Sequence, residues 1–82
     1  MGFRVKYTRY FLATRDRPDR AMIKDEWIQH VIDHPIREIK QKDGRIRRWG
    51  RIAEMHDMYL RVILLPDRIT VHNAFFDRSF QP

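Results

Sequence analysis

There is no cysteine among the 82 residues, which removes disulfides and thiolate metal sites from consideration. Only three glycines are present, scattered along the chain, so no glycine-rich loop can cradle a phosphate. The one serine, Ser79, stands near the end with no nucleophile elbow around it, which argues against a Ser-His-Asp hydrolase. No apolar run approaches the roughly 20 residues that cross a membrane. The opening MGFRVKYTRYF lacks the apolar stretch and small-residue cleavage site of a secretory signal. These absences lead to the expectation of a soluble, cytoplasmic protein that makes no membrane contact and holds no cofactor. No repeat, linker or low-complexity segment divides the chain, so residues 1–82 are read as one domain with one modest core.

What is present is positive charge, unevenly spread. Lys and Arg number 17 against 11 Asp and Glu, a net charge of +6. Residues 1–20 carry six basic and two acidic groups, and residues 36–51 carry seven and two. The segment between them, 21–35, is mildly acidic with one basic group and three acidic. Two basic blocks of this kind favour a polyanionic partner, either nucleic acid or an acidic protein surface.

Hydropathy periods place the elements. Phe3, Val5 and Tyr7 alternate with Arg4, Lys6 and Thr8, a period of two that predicts a strand ending near Tyr10–Phe11–Leu12. Asp16 and Asp19 around Pro18 are helix-start signals. Ile23, Trp27, Ile28, Val31 and Ile32 then recur at helical spacing until Pro35. The reading is one amphipathic helix over roughly residues 17–33, with Asp25, Glu26, Gln29 and Asp33 facing outward. IREIKQK, RIRRWGRIAE, YLRVILL and ITVHNAFF follow as strands. Asp43-Gly44 predicts a tight type I′ hairpin between the first two, and Gly50 marks a bulge or a close backbone approach. The expected fold is α+β: an antiparallel sheet of four to five strands, in the order β-α-β-β-β-β, with the helix packed on one face. Leu60, Val62 and Leu64 should share the core face with Ile69, Val71 and Phe75, beneath Trp27.

That alternation carries the functional reading. If Leu60 and Val62 point inward, Arg61 points out; if Val71 and Phe75 point inward, His72 points out. On the preceding strand Arg45 and Arg47 lie on one side and Ile46 and Arg48 on the other; one of these arginine sets must share that outer face, and a one-residue slip reverses the choice. Cleavage of RNA without a metal needs a base for the 2′-hydroxyl and cations for the transition-state charge. Histidine suits the proton transfers and arginine the phosphate. Arg61, His72 and Arg78 are therefore the candidate catalytic residues. Lys40, Arg45, Arg47, Arg48 and Arg51 are candidate phosphate contacts, and Trp49 and Tyr59 candidate stacking surfaces. Glu26, His30 and His34 follow at intervals of four on the helix, but no HExxH arrangement or further ligand accompanies them, so no metal site is expected.

A helix ending near a proline, then a meander carrying DGRIRRWG and LRVILL, then a last strand, resembles the small BrnT-type proteins of the RelE/ParE-like toxin group. The resemblance runs from about Trp27 to Arg78. It implies a toxin that cleaves messenger RNA and is neutralised by a small antitoxin protein covering the active face. It also implies active basic or histidine side chains on the central and last strands, where Arg61, His72 and Arg78 stand. A non-catalytic basic module that holds nucleic acid or an acidic partner fits the same charge pattern. Self-association through an edge strand, giving a homodimer, is a third expectation.

Overall fold

The computed structural model describes residues 5–82; Phe3 and Arg4 of the expected first strand lie outside them. The chain forms β1 (Lys6–Tyr7), α1 (Arg9–Thr14), α2 (Asp25–Asp33), β2 (Arg37–Lys40), β3 (Ile46–Ile52), a single 3-10 turn (Ala53–Met55), β4 (Met58–Leu64) and β5 (Thr70–Phe76). The five strands make one sheet in the order β1-β5-β4-β3-β2. The α+β class and the four-stranded antiparallel meander stand as expected. The sheet as a whole is mixed, because β1 lies parallel to β5, with Tyr7 opposite Val71.

The helical part differs from its expectation. Where the alternation slips, Thr8 takes an extended N-cap conformation and its hydroxyl accepts the Phe11 amide at 3.1 Å, starting α1. Residues 15–24 are a run of turns around Pro18. The second helix starts only at Asp25, where Asp25 and Glu26 put negative charge in its first turn. The Ile23–Trp27 spacing misleads because Ile23 is buried without being helical. It precedes the cap Lys24 and, with Ile28, occupies the two positions of a hydrophobic staple. Tyr7 Oη and Arg15 both donate to Asp25 Oδ1, at 2.8 and 2.6 Å, tying the start of α2 to β1 and to the end of α1.

Both helices contribute to the core. Phe11, Trp27, Ile28 and Val31 meet Ile46, Ile52, Leu60, Val62, Leu64, Val71 and Ala74. Val31 lies directly over Gly50: a Cβ added there would stand 2.8 Å from Val31 Cγ2 and 3.3 Å from its Cα. Gly50 therefore marks the close approach of helix to sheet.

Two local features set which side chains face where. The β2–β3 hairpin is not type I′: of its central residues only Gly44 has positive φ (+90°). Gln41 accepts from the Gly44 amide at 3.0 Å and pairs with Arg45, which is the three-residue loop with a left-handed glycine. In β5 the register with β4 shifts between Ile63 and Leu64, so that His72 is the extra residue of a bulge. The bulge changes parity. Ala74 and Phe76 join the core side, Phe75 moves to the opposite face against Arg61, and Ile69 is exposed in the preceding turn.

Candidate nucleic-acid interface

The face of the sheet away from the helices is assembled by register. Ile46, Gly50 and Ile52 turn toward the helices, so Arg47, Trp49 and Arg51 of β3 turn away from them. Across that face, Arg37, Trp49, Arg61 and Phe75 form one row, and Ile39, Arg47, Ile63 and Asn73 the next. The parity left open by the sequence is thus settled in favour of Arg45 and Arg47. Arg48 belongs to the helix side, where it donates to Glu38 Oε1 at 2.6 Å and to the Ile32 carbonyl at 2.8 Å. Being spent in this way, it is not available as a phosphate contact.

Arg61 stands at the centre of a small polar cluster. Its Nη2 and Nε donate to Asp77 Oδ2 at 2.6 and 3.0 Å, and Trp49 Nε1 donates to the same oxygen at 3.0 Å. Its guanidinium lies over the rings of Phe75 and Trp49, at 4.9 and 5.3 Å. The Ser79 hydroxyl and amide complete the carboxylate by donating to Oδ1. Burial alone would raise the Asp77 carboxyl. The donors from Ser79, Trp49 and Arg61 overcome that and hold it well below the usual carboxylate range. Phe80 then folds over Trp49, stacked at 5.0 Å, with Tyr59 edge-on and the Arg37 guanidinium on its ring. Trp49 is accordingly 4% exposed and forms a floor, not a stacking surface for a base.

His72 has different neighbours. Its Nδ1 shares a hydrogen bond with Thr8 Oγ1 at 3.2 Å, and its ring stacks on Tyr10 at 4.9 Å. The structure therefore does not bring Arg61 and His72 together: one is held by Asp77 and the other by Thr8 and Tyr10. Burial, helped by the charge of Arg45, lowers the His72 pKa below its ordinary value and so leaves the imidazole neutral near pH 7. In a pH titration followed by NMR, the His72 ring protons should move with a midpoint below that of a solvent-exposed histidine, about 6.5. Arg45→Ala should raise that midpoint, and Asp43→Ala should lower it. Arg78 is exposed, forms no ion pair among the described residues, and lies beyond the end of β5.

Several cations without a close carboxylate stand around the β2–β3 hairpin. A shallow groove of about 460 Å³ is lined by Ile39, Lys40, Gln41, Lys42, Asp43 and Arg47. The Nε of Arg47 is sheltered from solvent and has no acceptor among the described residues. Arg45 and Arg51 flank it along the strand with only loose, exposed partners, Asp43 at 3.8 Å and Asp57 at 3.7 Å. Pairs of that kind add little and yield readily to a stronger anion. Lys42, Arg37 and Phe80 join the site without a signal in the sequence reading. Lys42 is legible as a hairpin-tip cation, whereas the roles of Arg37 and Phe80 depend on the chain folding back after Asp77. No group of three or more His, Asp or Glu that could hold a metal occurs among the described residues; the His30 and His34 rings lie 5.5 Å apart without a third ligand.

The class defined by these observations is a small α+β protein whose sheet presents a basic, partly aromatic face. No protein-family model matches the chain, and neither a curated protein nor a solved structure matches it.

Proposed function

We propose that this chain binds single-stranded RNA on the sheet face turned away from the helices, at the end around the β2–β3 hairpin that Phe80 leaves open. The observation that carries this reading is half-buried Arg47, whose Nε is sheltered and lacks an acceptor among the described residues, in a groove shared with Lys40 and Lys42. An unpaired buried donor of that kind is costly unless a ligand satisfies it, and a bidentate guanidinium matches a phosphate. A sheet face with cations and ring edges suits an unpaired strand, whose bases can lie against it. Among the described residues, no element projects from this face as a helix would to enter a major groove.

The test is retention of a labelled single-stranded RNA as salt is varied. Three phosphate contacts would give a log–log slope of about −2, since each contributes about −0.7 for a single strand. Arg47→Ala should reduce the slope by about that single-contact amount and weaken binding for all sequences alike. Binding that ignores salt, or tighter binding to duplex DNA, would overturn the proposal.

A second reading is favoured by His72. It is a metal-independent endoribonuclease of the toxin kind, related to the RelE/ParE-like group and covered on this face by an antitoxin. The reading requires the tautomer in which Nδ1–H donates to Thr8, leaving the Nε2 lone pair to take a proton. Arg45, the cation felt at His72, replaces Arg61 as the charge near the phosphate. Cleavage of messenger RNA in chelator that disappears in His72→Ala would establish this reading, and intact RNA would leave binding alone. Self-association through β1 has little to work with: the strand has two residues, and one of them is an exposed lysine.

A further inference from the structure

A second concavity, of about 300 Å³, opens where β4 begins and β5 ends, between the β3–β4 turn and the segment after Asp77. Its lining combines ring surfaces, Tyr59, Phe76 and Phe80, with two cationic or proton-bearing groups, His56 and Arg78. Two carboxylates also border it: Asp77 is fully engaged, whereas Asp57 is exposed and only loosely paired. Asp77 is occupied by Arg61, Trp49 and Ser79, and Asp57 lies 3.7 Å from Arg51. Arg78 and His56 have no side-chain partner among the described residues. Phe80 is held on three sides by Trp49, Tyr59 and Arg37, so that its position is fixed before any ligand arrives.

The backbone at the rim is unusual. His56 and Asp57 are consecutive non-glycine residues in the left-handed region, at φ +55° and +59°. Each costs on the order of 1 kcal/mol relative to glycine. A turn built for stability alone would place glycine here; this one keeps the imidazole of His56 at the pocket.

We propose that this pocket takes one nucleotide, a nucleoside monophosphate unit, with the base against Phe80 and Tyr59 and the phosphate between Arg78 and His56. The volume suits a single base and its phosphate and is at the lower limit for a ligand site. The proposal rests on the RNA-binding reading and extends it. Arg51 is adjacent in register to Tyr59, so an RNA strand that contacts Arg51 has one nucleotide within reach of this pocket.

Adenosine and uridine monophosphates, titrated into the full-length chain, provide the test. The readouts are amide NMR shifts and the fluorescence of Trp49, which lies under Phe80. At least one nucleotide should bind in the submillimolar range, shifting residues 56–59 and 76–80. The matching nucleoside and inorganic phosphate should each bind at least tenfold more weakly. Arg78→Ala should weaken the nucleotide at least tenfold without moving the thermal midpoint, because Arg78 is exposed and forms no ion pair among the described residues. Absence of binding at millimolar nucleotide would overturn the inference, as would equal binding of inorganic phosphate or shifts confined to the β2–β3 hairpin. If labelled RNA still binds while mononucleotides do not, only the pocket assignment falls; if neither binds, the RNA reading falls with it.

Discussion

Asp77→Ala is expected to cost about 3–5 kcal/mol in a urea unfolding experiment at pH 7, the range for removing one member of a buried ion pair. The side chains of Asp77 and Arg61 are 6% and 20% exposed, so little solvent is available to replace the lost partner. The substitution strands two buried groups, the Arg61 guanidinium and the Trp49 N–H, and releases Ser79 and the segment that carries Phe80. In a small domain whose total stability is of the order of 5–15 kcal/mol, that loss is a large fraction of the whole. Asp77→Asn retains an acceptor for Trp49 and should cost less. If Asp77→Ala changes stability by less than about 1 kcal/mol, the cluster does not hold the C-terminal segment as described.

The same cluster fixes the sign of one pH dependence. The folded carboxyl titrates well below its unfolded value near 3.9. Its contribution is therefore complete above about pH 4 and falls away as the solution is acidified below that. Wild-type stability should drop through this acid range, and Asp77→Asn should show a shallower decline. The decline will not vanish, because Asp25, Glu38 and Asp67 also have lowered pKa values and lose their contributions in the same direction. Arg61→Ala, the natural first mutation for a test of catalysis, disrupts this same cluster. Loss of RNA binding or cleavage in that variant identifies a catalytic role only if its unfolding midpoint is intact.

Gly50→Ala should destabilise by about 1–3 kcal/mol, the usual cost of forcing an extra methyl into a packed core. The new Cβ would meet Val31 Cγ2 at 2.8 Å, and Val31 is fully buried on a stiff, β-branched side chain. Relief requires α2 to lift from β3. Val31→Ala removes the closest atom but leaves the helix backbone at residue 31 still 3.3 Å from the added methyl. The double variant should therefore be more stable than the sum of the two single losses implies, a positive coupling that a double-mutant cycle measures. Additive losses would show that the helix does not rest on the sheet at this glycine.

The meander is legible in the sequence because its signals are local. Period-two alternation in YLRVILL and the DG turn each depend on neighbouring residues, and both lead to the right strands even though the turn type differs. The helix beginning at Asp25 is blurred by Ile23, whose apolar side chain is buried from a turn and so continues the helical spacing without being helical. Nothing local signals that Thr8 starts α1 or that β1 lies parallel to a strand some sixty residues later. The site is legible in its residue types more than in its arrangement. Arg45 and Arg47 stand on the face expected of one arginine set, but the one-residue bulge at His72 alters the parity of β5 beyond it. Sequence periodicity has no means of locating such an insertion, and with it Phe75 changes faces. The Asp77 cluster is hidden for a related reason: its partners, Arg61 and Trp49, are distant in the chain and come together only through register.

The parallel pairing of β1 with β5 also governs the order in which the molecule can be completed during synthesis. Tyr7 emerges early yet finds Val71 only after most of the chain has been made. The meander can close as hairpins between sequence neighbours, whereas the first strand and the short helix behind it must wait. A nascent chain stalled on a C-terminal linker long enough to expose residues up to Ile69 but not β5 should therefore show a protease-sensitive leading segment, and that segment should become protected when the linker is placed after Phe76.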